Sequence, residues 1–389
     1  MSKKIILIIL ACLILLTGFL YTRFYSSKKL SQQITIQFSS WGSESEIRIL
    51  KPILNEFEQQ NPDIKVDFLH IPQNYFQKIH LLFASNTSPD VIFINNQYLP
   101  IYANAGVLED LSNYNEYFNY EDFYKKSLES LSWNGKLYAI PRDVSNLVFF
   151  YNKNIFDEYH VPYPTQDWTF DDFVITAQKL THKPQIFGVS FEEEPLFYLP
   201  YLMSFGLDDV PRYEDKTTQI GLNKYADLRN KYQVSPLKQD ISSATMGQMF
   251  LQGRLALHLS GRWLVPKYRE EANFDWDIVN FPQGSAGSIV PMDASGWAIS
   301  KSSKHKSEAA RLVKYLASKE SSEKFTQSGL IVPANVDCAN SKYFLDGKKP
   351  NNAKVFLDVI ETSKPTPVRV DYREILDELK TKTEYLFNK

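Results

Sequence analysis

Residues 34–94 read ITIQFSSWGSESEIRILKPILNEFEQQNPDIKVDFLHIPQNYFQKIHLLFASNTSPDVIFI, and this segment alternates two kinds of hydrophobic pattern. Short runs that are rich in β-branched residues or wholly apolar predict strands at 34–38, 64–69 and 91–94. Apolar residues spaced by three and four predict a helix at 43–60, and a second helix follows at 75–84. The order strand, helix, strand, helix, strand predicts a doubly wound α/β layer.

Similar patterns continue towards the carboxyl terminus. Strands are predicted at 148–151, 255–259 and 277–279, and helices at 168–180, 242–252 and 307–316. The chain has 389 residues and no internal repeat, so its length suits two α/β domains. Aromatic residues make up 14% of the chain, which is enough to fill two cores and also to line a ligand cleft.

The amino terminus carries an uncharged, mostly apolar run at residues 5–22, preceded by Lys3 and Lys4 and followed by Arg23. This pattern is typical of a secretory signal peptide, and its length also suffices for a membrane-spanning helix. No cleavage site of small residues follows it, so we expect an uncleaved anchor within residues 1–29. Lipidation at Cys12, which makes the protein a lipoprotein, is the alternative. Basic residues on both sides leave the orientation open.

Charge and cysteine content exclude several classes of function. The first 29 residues hold five basic and no acidic residues, which leaves 38 basic against 45 acidic residues in the body. Such a balance lacks the basic stripe that nucleic-acid binding requires. The body has one cysteine, Cys338, so it has no internal disulfide and no cysteine-rich metal site. We therefore expect no nucleic-acid partner, no metal and no cofactor.

Eleven short segments, spread in order along the body, resemble the extracellular solute-binding proteins of family 1, the maltose-binding-protein group. The resemblance spans about residues 34–333, and the last stretch of the chain matches only loosely. The segments are FEQQNPDIKV (57–66), PDV (89–91), ANAG (103–106), LEDL (108–111), NGKLYAIP (134–141), FYNKNIF (150–156), WTFDDF (168–173), FLQGRLAL (250–257), SGRW (260–263), GWAI (296–299) and SEAARLVKYL (307–316).

This resemblance implies two α/β lobes of the type II periplasmic binding protein architecture, joined by a hinge of crossing strands. The first lobe is expected to hold residues 33–140 and 283–317, and the second residues 141–282 and 318–389. It also implies a monomeric receptor outside the cytoplasm that delivers a solute, a sugar above all, to the permease and ATPase of an ABC importer.

A sugar presents hydroxyl groups at its rim and C–H groups on its faces, so amides and aromatic rings suit it. Open α/β sheets bind ligands at the carboxyl ends of their strands. Trp41 follows the first strand in a Ser/Gly loop, and we expect it to contact the ligand. The resemblance places a stacking aromatic at Trp263 and a cleft-lining loop at Trp297. Tyr198 is a further candidate, with core packing as the alternative.

Polar candidates for the same site lie after a strand, at the hinge and at a helix start. We expect the hydrogen-bonding groups to be Asn95, Asn96, Gln97, Arg142, Asp143, Ser145, Asn146 and Glu44. Helix capping is the alternative for the first two asparagines and for the glutamate. An Arg142–Asp143 ion pair that only shapes the hinge is the alternative for those two residues.

Two alternatives to a sugar receptor are an enzyme and a receptor for an anion. An enzyme is not expected, because the chain has no Gly-x-Ser-x-Gly elbow, no His-Glu-x-x-His and no phosphate-binding loop. Carboxylates at 171–172 and 192–194 are explained as solvated charges rather than as a glycosidase pair. A receptor for glycerol-3-phosphate or another anion stays open, since Arg142, Arg254, Arg262 and Lys136 could supply positive charge.

Overall fold

The computed structural model describes residues 14–18, 33–241 and 243–388. Residues 14–18 are helical and exposed. The anchor predicted within residues 1–29 lies outside the described residues except for this short piece, and the alternative lipidation site at Cys12 lies outside them as well. Within the described ranges, no helix has both the length and the apolar character needed to cross a membrane.

Thirteen strands lie in the described part of the chain. They are β1 Ile34–Ser40, β2 Ile64–His70, β3 Val91–Asn95, β4 Ser132–Trp133, β5 Lys136–Leu137, β6 Ala139–Ser145, β7 Val148–Asn152, β8 Phe187–Val189, β9 Leu255–Ser260, β10 Trp276–Val279, β11 Pro291–Ile299, β12 Val332–Pro333 and β13 Lys364–Pro365.

Helices of very different length connect these strands. The longer ones are Glu44–Gln60, Tyr75–Ala84, Phe170–Lys179, Pro195–Ser204, Lys216–Asn230, Lys306–Leu316, Lys319–Gln327, Val355–Thr362 and Tyr372–Phe387. The shorter ones are Leu99–Asn104, Lys125–Ser130, Lys153–Glu158, Lys238–Ile241, Met246–Leu251, Val265–Glu271 and Val336–Ala339, with 3-10 turns at Tyr120–Asp122 and Arg262–Leu264.

Side-chain caps set the starts of several helices. Ser43 accepts from the backbone of Glu46, and the Glu46 carboxylate accepts from the backbone of Ser43. Thr169 and Asp172 cap Phe170–Lys179 in the same way. The helix predicted at 242–252 spans only Met246–Leu251, because a capping box between Thr245 and Gln248 starts it there.

The larger sheet contains strands from early and from late in the sequence. Its strand order is β12-β6-β11-β3-β1-β2, and β13 pairs with the start of β11. Strand β1 runs parallel to β2 and β3, with helices between them, as the sequence predicts. Strand β11 is antiparallel to β3 and β6, and β6 is antiparallel to β12, which makes the sheet mixed. Strand β13 is parallel to β11. The smaller sheet has the order β10-β7-β9-β8, with only β8 and β9 parallel.

Two hydrophobic cores divide the molecule into two lobes. The first core draws on residues 36–140 and 294–334, and the second on 144–292 and 344–387, with Val332 also in the second. The chain crosses between the lobes in β6, in β11 and after β12. The last two crossings lie later than residues 282 and 317, the boundaries expected from the sequence.

Packing explains the later third crossing. The helix Lys319–Gln327 lies against Glu44–Gln60 of the first lobe. Glu56 accepts from the Tyr315 hydroxyl at 3.1 Å and forms an ion pair with Lys324, and Phe325 is buried in the first core. Ala334 is also in the first core, and the helix Val336–Ala339 packs against Lys319–Gln327. The last crossing therefore lies after Ala339 and before Phe344, which is in the second core.

Candidate ligand-binding cleft

A cavity of about 520 Å³ lies between the two lobes. Its lining comes from the ends of β1 and β3 on the first lobe, from β6 and β11 at the crossing, and from three segments of the second lobe. Its volume falls within the usual range for small-molecule sites. The cavity is therefore the candidate binding site.

The first-lobe wall is built where β1 and β3 end. Trp41 directly follows β1, is half-buried and lines the cavity, and its ring centroid lies 4.2 Å from that of Phe93. Asn95 ends β3, and its side-chain oxygen accepts from the backbone of Tyr98 at 3.2 Å. Glu46, in the first turn of Glu44–Gln60, also lines the cavity. This wall thus combines an indole with polar groups.

The second-lobe wall carries a tryptophan of its own. Trp263 lies in the 3-10 turn after β9 and lines the cavity together with Phe197. A Cβ added to Gly261 would lie 1.9 Å from a ring carbon of Trp263, so only glycine allows the indole to lie against the backbone there. The sequence Ser-Gly-Arg-Trp at 260–263 therefore sets the position of this ring.

The floor of the cavity is a row of polar side chains on the two crossing strands. In the antiparallel pair, Ser295 lies opposite Asp143, and Asp293 lies opposite Ser145. Cross-strand partners share one face of a sheet, as do residues two apart along a strand. All four residues line the cavity. The pairing register therefore turns two carboxylates and two hydroxyls towards the ligand.

Arg142 is the extra residue of a β-bulge in this floor. The partner of β11 steps from Asp143 to Pro141 between Ser295 and Gly296, so Arg142 lies opposite no residue of β11. Its Nε donates to Asp143 Oδ2 at 2.6 Å, and its guanidinium lies 4.1 Å from the Phe93 ring centroid. Burial raises the pKa of Asp143, and the guanidinium of Arg142 opposes that rise.

Asp293 is held by donors from three directions. Its Oδ2 accepts from Gln97 Nε2 at 2.7 Å, and its Oδ1 accepts from Asn96 Nδ2 at 3.1 Å and from the Thr366 hydroxyl. Burial raises the pKa of Asp293 above its ordinary value of 3.8, although these donors favour the ionised form. The carboxylate ties the end of β3 to β11 across the floor.

Eight of the residues singled out from the sequence line the cavity, and four do not. The eight are Trp41, Asn95, Gln97, Arg142, Asp143, Ser145, Asn146 and Trp263. The four are Glu44, Asn96, Tyr198 and Trp297.

The two polar residues outside the lining have other positions. Glu44 is the exposed first residue of its helix, and the side chain in the capping box is that of Glu46. Asn96 is fully buried, donates to Asp293 and Thr366, and accepts from the backbone of Ala294 at 3.1 Å. Asn96 therefore orients a carboxylate of the floor instead of facing the cavity.

The two aromatic residues outside the lining are buried in the cores. Tyr198 is fully buried in the second lobe against Tyr225 and Phe387, while the preceding residue in the chain lines the cavity. Trp297 lies within β11 and not in a loop, and it packs against Phe93 and Phe325 with 2% of its surface exposed. We leave both residues out of the proposed site.

Sequence reasoning missed several lining residues. Asp293 and Ser295 precede the Gly296-Trp segment, and period-2 alternation along β11 would have identified them had this strand been recognised. Arg262 was considered only as a source of positive charge, although it lines the cavity. No sequence pattern marked Glu194 or Arg373 as a cleft residue. Arg373 lines the cavity because folding brings the helix Tyr372–Phe387 to the cleft.

The ionised groups of the lining are of both signs. The lining includes the carboxyls of Glu46, Asp143, Glu194 and Asp293 and the guanidiniums of Arg142, Arg262 and Arg373. Two other cations considered for an anion site lie elsewhere. Lys136 pairs with Asp110 at 3.0 Å, and Arg254 donates to backbone carbonyls. Among the residues that the structure describes, no three His, Cys, Asp or Glu side chains are arranged to hold a metal ion.

Comparisons with known proteins cover both lobes. The family model for bacterial extracellular solute-binding proteins matches residues 41–323. Maltodextrin-binding protein MdxE of Bacillus subtilis is 25% identical over 343 residues, covering 82% of this chain and 77% of the relative. The galactooligosaccharide-binding protein of the same organism is 22% identical over 355 residues, covering 86% and 80%. An ABC substrate-binding protein of Listeria monocytogenes, solved in complex with cycloalternan, has a TM-score of 0.84 at 26% identity and covers 92% and 94%.

Proposed function

The chain belongs to the bacterial extracellular solute-binding proteins, and on that premise we propose that it captures an uncharged oligosaccharide in the interlobe cleft and delivers it to an ABC permease. The observation that carries the proposal is the pair of indoles on opposite lobes, Trp41 and Trp263, with a polar floor between them. Indole faces cover the C–H surfaces of a sugar ring, and the floor offers donors and acceptors to its hydroxyls.

The charge pattern of the cleft supports a neutral ligand. Arg142 is engaged by Asp143, and the lining as a whole has four carboxylates against three guanidiniums. An anionic ligand would require an excess of positive charge near its binding position. The three relatives described above carry maltodextrin, galactooligosaccharide or cycloalternan in their names, and all of these are oligosaccharides.

The hinge supports a capture mechanism without chemical conversion. A ligand that contacts the first-lobe wall, the second-lobe wall and the floor binds best when the lobes are close together, so it shifts the population towards closure. The closed form would then dock on the permease and release the sugar. Members of this family named above are binding proteins, which supports a receptor without turnover.

Location follows from the family, and the tether is a proposal. The family is extracellular, which places the body outside the cytoplasm. We propose that residues 1–29 hold the protein at the membrane surface, which would raise its local concentration at the permease. Trypsin treatment of intact cells should degrade the body of the protein. In untreated cells, the protein should stay with the membrane fraction in high salt. Recovery from the cytosol would contradict both points.

A thermal-shift panel on the full-length protein tests the ligand class. We expect maltotriose or a galactooligosaccharide to raise Tm, because a ligand that binds only the native state stabilises it. Glycerol-3-phosphate is the opposing arm, and a Tm rise with it alone would favour the anion receptor. Chromatography of the incubated sugar should recover it unchanged, and its hydrolysis would contradict a receptor role.

A further inference from the structure

Arg262 is a buried cation in the wall of the cleft without a protein partner. Only 2% of its surface is exposed, it lines the cavity, and it follows β9 directly before Trp263. None of Nε, Nη1 and Nη2 has a hydrogen-bond acceptor among the described residues. Burial lowers its pKa to about 9, so the side chain still carries its charge at neutral pH. A buried guanidinium without an acceptor destabilises the free protein.

The surroundings of Arg262 offer no acid to complete it. Its guanidinium carbon lies 3.9 Å from the ring centroid of Phe344 and 5.4 Å from that of Phe356. The acid near it, Asp346, is engaged by Arg269 through two hydrogen bonds of 3.0 Å. Asp346 thus pairs with Arg269, and the guanidinium of Arg262 is left to donate to an oxygen from outside the protein.

Asn146 is the complementary group. It is 2% exposed, lines the same cavity, and donates through Nδ2 to the carbonyl of Phe356 at 2.8 Å. Its Oδ1 is buried and has no donor within residues 14–18, 33–241 and 243–388. Both Arg262 and Asn146 contact Phe356, so a group with unused donors and a group with an unused acceptor adjoin one residue.

The chemistry of these two groups selects one kind of ligand atom. Arg262 can only donate, and Asn146 Oδ1 can only accept. A hydroxyl oxygen accepts and donates at once, so it satisfies both. A carboxylate or a phosphate dianion has no proton to give to Asn146, and an ammonium cannot accept from Arg262.

We propose that Arg262 and Asn146 form a specificity-determining subsite in the second-lobe wall that binds one hydroxyl group of the sugar. This inference rests on the proposed function and identifies the groups that hydrogen-bond to the sugar beside the Trp263 ring. Binding supplies the guanidinium with its missing acceptor, so part of the affinity comes from relieving a cost already present in the free protein.

The variant Arg262→Met tests the proposal, with Arg229→Met as its matched control. Arg262→Met should leave the Tm of the ligand-free protein unchanged or raise it, because it removes a buried charge without a partner. It should weaken the binding of maltotriose or galactotriose by about 10- to 100-fold in calorimetry. Arg229 is also buried, but it pairs with Glu193 at 3.0 Å and does not line the cavity, so Arg229→Met should lower Tm and leave affinity unchanged.

A double-mutant cycle tests whether the two residues bind the same hydroxyl. Asn146→Ala alone should weaken sugar binding. The double variant should lose less binding free energy than the sum of the losses in the two single variants, because both substitutions remove the same shared contact. Fully additive losses would contradict a common hydroxyl. A drop in Tm for Arg262→Met like that of Arg229→Met, or wild-type affinity in Arg262→Met, would overturn the subsite. A wild-type protein that binds no sugar would overturn the proposed function and this inference together.

Discussion

Two tryptophans show how residues of the same type differ in their surroundings. Trp263 lines the cavity and lies against Gly261, while Trp297 is buried between Phe93 and Phe325. Both follow a Ser-Gly pair or lie near one in the sequence, so local composition does not separate them. Burial of the surrounding strand does, and this difference leads to two predictions for single substitutions.

Trp263→Ala should weaken sugar binding by roughly 30-fold or more, as expected for a central aromatic contact worth about 2 kcal/mol. Its Tm should change little, because the ring is only partly buried. Trp297→Phe is the counterpart: it should cost about 1–3 kcal/mol of unfolding free energy and leave affinity near wild type. Calorimetry and urea unfolding measure both, and the reverse pattern would exchange the roles of the two residues.

Gly261→Ala should displace the Trp263 ring, because the new Cβ would lie within 1.9 Å of it. We expect a loss of affinity comparable to that of Trp263→Ala, together with a changed tryptophan emission spectrum. Gly247→Ala is a suitable control, since a Cβ there meets its nearest neighbour at 3.4 Å. Unchanged binding in Gly261→Ala would mean that the ring position does not depend on this glycine.

At the scale of elements, β6 and β11 build the floor through their register. The bulge at Arg142 places that residue beside Asp143, and Gly296 allows the close approach, since a Cβ there would lie 2.2 Å from the Ile140 carbonyl. The carboxyl of Asp143 is thereby buried in the cleft, and that of Asp293 on the adjacent strand is partly buried. Their desolvation gives this element pair a measurable dependence on pH.

The raised pKa of Asp293 predicts how stability changes with pH. The native carboxyl binds its proton more tightly than the unfolded one, so wild-type stability gains from this group as the pH falls through its native pKa towards 3.8. Asp293→Asn cannot titrate there. The unfolding free energy of the wild type minus that of the variant should therefore rise from pH 7 to pH 4 in urea unfolding. A constant difference would exclude a raised pKa.

At the scale of the whole molecule, the fold prediction of two α/β lobes is confirmed by the likeness to solved solute-binding proteins over nine-tenths of the chain. Between the lobes, Arg48 and Glu270 form an ion pair at 3.4 Å, and both residues line a separate cavity. Both side chains are more than 60% exposed, so solvent screens the pair strongly. The ligand itself, and not this pair, should determine closure.

Closure should be visible in solution scattering. Saturating sugar should reduce the radius of gyration of the wild type, because the ligand favours the closed lobes. Glu270→Gln should show the same reduction and an affinity within about twofold of wild type, as expected for an exposed pair. A Glu270→Gln variant that no longer closes, or that binds sugar tenfold more weakly, would mean that the Arg48–Glu270 ion pair stabilises the closed form.

The sequence by itself determined the family and many of the elements, because hydrophobic periodicity is a local property: β1 to β3 and the helices Glu44–Gln60 and Tyr75–Ala84 follow from neighbouring residues. The polar candidates at the hinge came from the family resemblance, which located the first crossing of the chain. Only the tertiary structure decided which side chains meet. Strand register turned Asp293 to the cleft and core packing buried Trp297, while distant segments brought Arg373 to the wall, since these depend on contacts between residues far apart in the chain.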